Sequence, residues 1–165
     1  MQKLPFSTEP SAFLVDMTRD MKTRLALDAA MGQGRNSIYR AKTGWDVSGE
    51  GLALARKAAE QASVKINLVN QGWEEFDFGR EQWDLMVWTY GRVPIGDPAF
   101  IRRLSGSLRP GGAIAFEDAV GEVPAGTPAA VRPDEALKIF RNDLRILRRQ
   151  DVEAVSDWSN RKKPG

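Results

Sequence analysis

Two glycines and two aspartates near the start of the chain have the residue types and spacing to bind a ligand. Asp28 ends a short apolar run, "DAAMGQGRN" then supplies Gly32 and Gly34, and Asp46 follows in "WDVS". Glycines between a strand and a helix let backbone N–H groups approach a ligand at the helix N-terminus. The pattern therefore indicates a ligand-binding site, although a Gly-x-Gly turn that merely joins a strand to a helix is the alternative.

The missing residue types exclude several kinds of catalysis. The chain has neither cysteine nor histidine, which excludes Ser-His-Asp and Cys-His catalysis and histidine-ligated metals. We expect no metal site, so any chemistry must rest on carboxylates, hydroxyls, aromatics or the positioning of bound reactants. The net charge of +2 is too small to indicate a nucleic-acid partner.

Length and hydropathy set the class of protein. The 165 residues are of single-domain size. No run approaches the roughly 18 apolar residues that span a bilayer, and "MQKLPFSTEP" is too polar for a signal peptide. We therefore expect a cytoplasmic protein with no membrane partner.

The elements that must position the glycines and aspartates alternate along the chain. Helical spacing and caps predict helices at 11–21, 35–42, 50–62, from 98 onward, and 134–140, with Ser48 and Asp97 as caps and Gly44 ending the second helix. Strands are predicted at 24–28, 63–69, 83–88, 113–118 and 144–147, with a turn at 109–112 and a long loop at 119–133. This alternation predicts a mostly parallel sheet with helices on both faces and a ligand beyond the carboxyl ends of its strands.

The spacing around the glycines separates three kinds of nucleotide site. A phosphate-binding Walker loop needs Gly-Lys-Ser/Thr, and the chain has no such sequence. A dinucleotide fingerprint needs a third glycine at position 37, where Ser37 stands. The third pattern is an acid ending the first strand, a glycine loop, and a second acid after the next strand, which Asp28 and Asp46 supply.

That third pattern carries a family resemblance. "ALDAAMGQGRNSIYRAKTGWDV" resembles motif I of class I S-adenosylmethionine-dependent methyltransferases, and it looks most like small-molecule members such as the tellurite-resistance methyltransferases. Later segments resemble the family in the same order, namely "EGLALARKAAEQA", "FDFGREQWDLMVWTY" and "FIRRLSGSLRPGGAIAFED". The resemblance covers roughly residues 6–158. It implies a three-layer Rossmann-like α/β fold and methyl transfer from S-adenosylmethionine to a small molecule, with S-adenosylhomocysteine as product.

The resemblance also implies a cofactor site. Gly32 and Gly34 would lie under the methionine part, with Asp28 ordering the loop, while Asp46 would accept the ribose hydroxyls. The residues at 71–73 would flank the adenine, and Trp88 would lie near the transferred methyl group. The complete expected set is Asp28, Ala30, Met31, Gly32, Gly34, Arg35, Asn36, Asp46, Gln71, Gly72, Trp73 and Trp88.

Each role has a structural alternative. Asp46 could be a loop or capping residue, and Trp73 and Trp88 could be core aromatics. The catalytic residue is not assigned. If a hydroxyl or amine is the methyl acceptor, Tyr90, Glu117 and Asp118 are unranked candidates for assistance; a soft or ionised acceptor needs no base.

The chain departs from the family in four places. Ala30 replaces the first glycine of motif I, which is harmless at negative φ and costs about 1 kcal/mol at positive φ. Gln71 and Gly72 stand where an acid usually lies beside adenine. Asp46 comes only 12 positions after Gly34, so a predicted helix of about 12 Å and a strand of roughly 13 Å leave almost nothing for a turn. The second strand is therefore expected to be short.

The fourth departure concerns the end of the sheet. No apolar run supplies the family's last antiparallel strand, so we expect an exposed sheet edge that could pair with another chain and form a homodimer. The expected organisation is one methyltransferase-like domain at 1–165, with a helical lead-in at 1–23, a cofactor-binding core at 24–118 and a C-terminal part at 119–165. The alternatives to an active methyltransferase are a relic or engineered fragment that binds the cofactor poorly and, less favoured, an NAD-type oxidoreductase.

Overall fold

In the part of the chain that the structure describes, five parallel strands form the centre of the fold. The computed structural model describes residues 7–40, 43–46, 48–91, 93–118 and 133–152. The strands are β1 (Ala26–Ala29), β2 (Thr43–Asp46), β3 (Asn67–Asn70), β4 (Trp83–Thr89) and β5 (Leu108–Glu117). They lie in the order β3-β2-β1-β4-β5 with every pair parallel. The chain runs outward from β1 to β3 and then returns to β4, so the strand order reverses between β1 and β4, where such sheets bind ligands.

Helices connect the strands. They are α1 (Ala12–Thr18), α2 (Arg35–Tyr39), α3 (Gly49–Gln61), α4 (Pro98–Ser107) and α5 (Pro133–Phe140). Ser48 Oγ accepts from the N–H of Gly51 and Asp97 from that of Ala99, so both predicted caps are confirmed. No helix in the described ranges combines the length and apolarity needed to cross a membrane.

Alternate strand residues point to two separate apolar clusters. On one face, Ala26, Leu85 and Val87 pack with Leu14 of α1. On the other face, Leu27, Met86 and Trp88 pack with the apolar side chains of α4, which are Phe100, Ile101 and Leu104. Helices therefore cover both faces, and the predicted three-layer Rossmann-like arrangement with a mostly parallel sheet is confirmed.

The segment from α2 to β2 differs from the sequence prediction. The helix predicted at 35–42 ends at Tyr39, and Gly44 does not end it but lies within β2. A Cβ atom built at Gly44 would collide with Met31 Sδ, so the glycine leaves room for Met31 where its side chain passes against this strand. The early end of α2 releases the residues that the chain needs to reach β2.

The strand predicted at 63–69 is formed only at Asn67–Asn70. Val64 instead belongs to the end of α3, because its N–H donates to Ala59 O at 3.0 Å while Ser63 has φ +55°. This is the Schellman pattern that terminates helices, in which an apolar residue commonly follows the left-handed one. The alternation of apolar residues in "SVKINLV" therefore predicted a strand that begins earlier than the one that forms.

Two further predictions at the end of the chain were wrong. The turn predicted at 109–112 is part of β5. The register of the β4–β5 pairing shifts between Trp83 and Leu85, and Gly111 has a φ of +81°. This irregularity allows the two glycines to lie within the strand. The strand predicted at 144–147 is not formed, and Leu147 is 71% exposed. In the part of the chain that the structure describes, no strand follows β5. The loop predicted at 119–133 lies outside the described residues except for Pro133, which begins α5.

The remaining element boundaries shift by a few residues. The first helix begins as predicted but ends at Thr18, and the first strand runs from Ala26 to Ala29 rather than over 24–28. The later helices and the strand at 83–88 are found close to where they were predicted, whereas the strand predicted at 113–118 begins earlier, at Leu108, and ends at Glu117.

Candidate functional site

The glycine loop leaves the carboxyl end of β1 with its backbone repeatedly in the left-handed region. Gly32 and Gly34 have φ of +54° and +79°, which glycine adopts at little cost. A Cβ at Gly34 would lie 2.9 Å from the Cβ of Ala55, so Gly34 lets the loop pack against α3. A Cβ at Gly32 would meet nothing within 4 Å. Gly34 thus serves packing, whereas Gly32 borders open space where a ligand could approach the backbone.

Ala30 adopts the strained conformation. Its φ is +55°, so the alanine costs about 1 kcal/mol relative to glycine. A Cβ at Gly91 would lie 2.6 Å from the methyl group of Ala30, so Gly91 provides the room that this methyl group uses. The side chain is accommodated, and the cost lies in the backbone.

Asp46 reaches the glycine loop despite the short spacing. It follows Trp45, the partner of Ala29 in the sheet, so it lies level with the start of the loop. Its Oδ2 accepts from the N–H of Gly32 at 2.8 Å and its Oδ1 from that of Ser48 at 2.7 Å. Asp46 therefore stabilises the loop through hydrogen bonds, which is the structural alternative that we gave for it. Each carboxylate oxygen retains a further lone pair, so a ribose role remains a compatible prediction.

Asp28 is enclosed beneath α2. Ser37 Oγ donates to its Oδ2 at 2.6 Å, while its buried Oδ1 has no hydrogen-bond partner among the described residues. Loss of solvent raises the pKa of Asp28 to about 7, with a smaller raising effect from Asp46, while the Ser37 bond and the charge of Arg35 act in the opposite direction. Asp28 thus braces the loop from inside and holds an unsatisfied acceptor at the end of β1.

Several other predicted cofactor residues face the core. Met31 is buried with Leu52 and Ala55 under the loop. Trp88 is 1% exposed, donates from Nε1 to Gly91 O at 3.2 Å and packs edge-on against Phe100. Trp73 also packs edge-on against Phe100, at 5.2 Å between ring centroids. Both tryptophan side chains therefore pack as core aromatics, which is the structural alternative that we gave for them.

The segment expected to flank the adenine begins at the same edge of the sheet as Asp46. Asp46 is in register with Asn70, whose Nδ2 donates to Asp46 O at 2.9 Å. Gln71 follows directly and is exposed, and Gly72 is half-buried. The structure thus brings Asp28, Ala30, Gly32, Gly34 and Asp46 together, with Gln71 just beyond them.

Sequence reasoning named Asn36, Tyr90 and Glu117 as candidates but did not indicate the hydrogen-bond network that joins them on the other side of the loop. The side chain of Asn36 accepts from the N–H of Ser11 at 2.8 Å and donates to Thr89 Oγ1 at 2.9 Å. Ser11 and Tyr90 both donate to the carboxylate of Glu117. A serine before an apolar helix signals a cap, but no sequence pattern indicates that its hydroxyl reaches another strand. Arg35 lies at the edge of this region and donates to Glu9 O.

Comparison with known proteins decides the family. The sequence pattern described as "Methyltransferase domain" matches residues 26–112, which is more than half of the chain. The chain belongs to the methyltransferase domain family. The match spans all of β1 to β4 and the start of β5, so it includes the glycine loop and Asp46. The family resemblance read from the sequence is therefore confirmed. Among curated proteins, none matches the sequence.

Solved structures share the fold of this methyltransferase-domain chain. TehB from Haemophilus influenzae is 23% identical, with a TM-score of 0.54 over 62% of this chain and 38% of its own. The [4+2]-cyclase SpnF is 17% identical, with a TM-score of 0.61 over 79% of this chain and 53% of its own. A candidate S-adenosylmethionine-dependent methyltransferase from Listeria monocytogenes is 18% identical, with a TM-score of 0.52 over 64% of this chain and 54% of its own. The chain thus spans about half or less of the length of these proteins.

Proposed function

We propose that this methyltransferase-domain chain binds S-adenosylmethionine at the carboxyl edge of β1 and β2 and transfers its methyl group to a small molecule. The observation that carries the proposal is the pairing of Gly32 with Asp46. The backbone of Gly32 borders open space, and its N–H is held at 2.8 Å by the acid expected to bind the ribose. Family membership over 26–112 supports the same assignment.

The residues present fit this cofactor at three points. Gly32 leaves room for the methionine part, Asp46 keeps acceptor capacity for two hydroxyls, and Asp28 with Ser37 supports the loop from the protein side. The bound cofactor would supply an activated methyl group on sulfur. The chain then has to align donor and acceptor, a task for which neither histidine nor cysteine is required.

A cofactor-binding-impaired protein is the second candidate. Two observations favour it, because Ala30 strains the loop and the Trp88 side chain packs in the core rather than toward the cofactor. The likeness to a [4+2]-cyclase gives no further candidate, since at 17% identity it establishes the shared fold only.

Titration calorimetry with S-adenosylhomocysteine, NADH and ATP separates the candidates. We expect saturable binding of S-adenosylhomocysteine alone. Binding of NADH alone would favour an oxidoreductase, and binding of none of the three would favour the impaired protein.

A substitution at Gly32 locates the site. In Gly32→Val the side chain would enter the open space that the ligand needs, so we expect S-adenosylhomocysteine binding to be lost in the same calorimetric assay. Gly111→Val is the matched control, because Gly111 also has positive φ and open space around its Cβ position but lies in β5. It should lose similar stability and keep the ligand affinity. Unchanged affinity in Gly32→Val would mean that the site is misplaced.

A further inference from the structure

Beside the glycine loop, the carboxylate of Glu117 accepts hydrogen bonds from two hydroxyl groups that lie elsewhere in the fold. Glu117, at the end of β5, accepts from Ser11 Oγ at 2.6 Å on Oε2 and from Tyr90 Oη at 2.9 Å on Oε1. Ser11 is the cap of α1, and Tyr90 follows the last residue of β4. Both oxygens of the half-buried Glu117 are thus engaged by hydroxyl donors at the sheet edge where the site lies.

The backbone of Tyr90 is strained. Attaching α1 to the sheet would not by itself require this strain. The φ of Tyr90 is +56°, which is rare for a bulky residue, and its N–H donates to Glu117 O at 2.9 Å. Such conformations persist where the surrounding structure imposes them, and they concentrate at active sites and ligand clamps. The Ser11–Glu117 bond alone would fix the start of α1 on the sheet. The strained Tyr90 therefore calls for a separate role.

The position of Tyr90 relative to Asp46 indicates that role. The strand order β2-β1-β4-β5 places Asp46 on one side of the glycine loop and Tyr90 on the other. If the ribose binds at Asp46, the reacting end of the cofactor extends toward β4. A phenol that donates its proton to a carboxylate can use its oxygen lone pairs to accept another proton. Tyr90 and Glu117 together form a short path along which a proton can leave.

We propose that Tyr90 and Glu117 form the acceptor side of the site and that the methyl acceptor is a neutral hydroxyl or amine that must lose a proton. The proposal rests on the proposed function above. The oxygen or nitrogen of the acceptor bonds to the methyl carbon while the carbon–sulfur bond breaks and its electron pair stays on sulfur. The proton of the acceptor passes to Tyr90 Oη as the Tyr90 proton passes to Glu117. The negative charge of Glu117 disfavours an oxyanion acceptor such as tellurite.

Fluorine NMR can test the contact directly because the chain has only two tyrosines. Protein labelled with 3-fluorotyrosine gives one signal from Tyr90 and one from Tyr39, which is 37% exposed on α2 and serves as an internal control. Catechol, aniline and tellurite are added separately to protein saturated with S-adenosylhomocysteine. We expect catechol or aniline to shift the Tyr90 signal while the Tyr39 signal stays in place, and we expect tellurite to shift neither.

Turnover with S-adenosylmethionine gives the second readout, measured as S-adenosylhomocysteine formed with each acceptor. In Tyr90→Phe we expect kcat for the protic acceptor to fall by about tenfold or more, with S-adenosylhomocysteine affinity and Tm little changed. A purely structural tyrosine would change Tm rather than kcat.

The outcomes separate this proposal from the cofactor assignment. If the wild-type chain fails to bind S-adenosylhomocysteine, both are overturned. Cofactor binding without a Tyr90 response to either protic acceptor, faster methylation of tellurite, or wild-type kcat in Tyr90→Phe overturns the acceptor proposal alone.

Discussion

At the scale of single residues, the two aspartates of the site are held in opposite ways. Asp46 accepts from two backbone N–H groups, one on each oxygen. Asp28 is buried with one hydroxyl donor on Oδ2 and none on Oδ1 among the described residues. Burial removes the solvent that would stabilise the charged carboxylate, and hydrogen bonding from Ser37 offsets this loss only in part, so the pKa of Asp28 rises from 3.8 to about 7.

This raised pKa makes stability depend on pH. Between about 3.8 and about 7 the folded state holds the Asp28 proton more tightly than the unfolded state does, so the free energy of unfolding falls as pH rises through that range. Asp28→Asn removes the titrating group. Urea denaturation gives the free energy of unfolding of the variant and of the wild type at each pH. We expect the variant value minus the wild-type value to rise by about 3 kcal/mol between pH 5 and pH 8, because only the wild type loses stability over this range.

Asp84→Asn is the control for that measurement. The pKa of Asp84 is lowered, chiefly by the backbone N–H of Leu25, so its contribution to stability is lost only as pH falls below the usual carboxyl range. Its effect on stability should therefore be the same at pH 5 and pH 8. Equal pH slopes for wild type and Asp28→Asn would contradict the account of Asp28.

At the scale of elements, the short connection from α2 to β2 works because Met31 and Gly44 fit together. Met31 is buried beneath the glycine loop with Leu52 and Ala55, and β2 passes against its sulfur at Gly44. A shorter α2 and a four-residue β2 then suffice to bring Asp46 to the loop. The packing of one methionine thus links the position of β2 to the conformation of the adjacent Gly32.

Gly44→Ala should disturb this link. The added methyl group would collide with Met31, so we expect a loss of about 1–3 kcal/mol in the free energy of unfolding, measured in urea. Because Met31 precedes Gly32, S-adenosylhomocysteine binding should weaken as well. Gly106→Ala in α4 meets nothing within 4 Å and should be neutral or stabilising by about 0.5–1 kcal/mol. Equal stability of the two variants would show that Met31 moves aside without cost.

At the scale of the whole molecule, the sheet ends in two unequal strands. β3 has four residues, whereas β5 has ten and no further strand beside it within the described ranges. A long outer strand presents backbone N–H and C=O groups that a second chain can pair with. We therefore propose that two copies associate through β5.

Light scattering coupled to size-exclusion chromatography should show a dimer that dissociates on dilution. Ala113→Pro and Ile114→Pro provide a matched pair, because successive N–H groups of a strand point to opposite sides. One proline should break the bonds to β4 and reduce the folded fraction measured by circular dichroism. The other should leave a folded protein that is monomeric. A wild-type chain that is monomeric at every concentration would rule out association through this edge.

The sequence by itself determined the class of fold and the position of the glycine loop in it. Local signals fixed the caps of α3 and α4, the apolar run of β4 and the glycine loop, because each depends on neighbours within a few residues. Absence of histidine and cysteine limited the chemistry, and the order of the motifs identified the family, which the match over 26–112 confirms.

Only the tertiary structure decided what depends on contacts distant in sequence. It placed Asp46 on the N–H of Gly32, turned Trp88 toward Phe100, and joined Ser11 to Glu117 across 106 positions. It also showed that Gly44 lies in a strand, which follows from the neighbouring Met31 rather than from the local sequence. Sequence patterns report the conformation that a segment prefers by itself. The partner of a side chain is settled only when the whole sheet is packed.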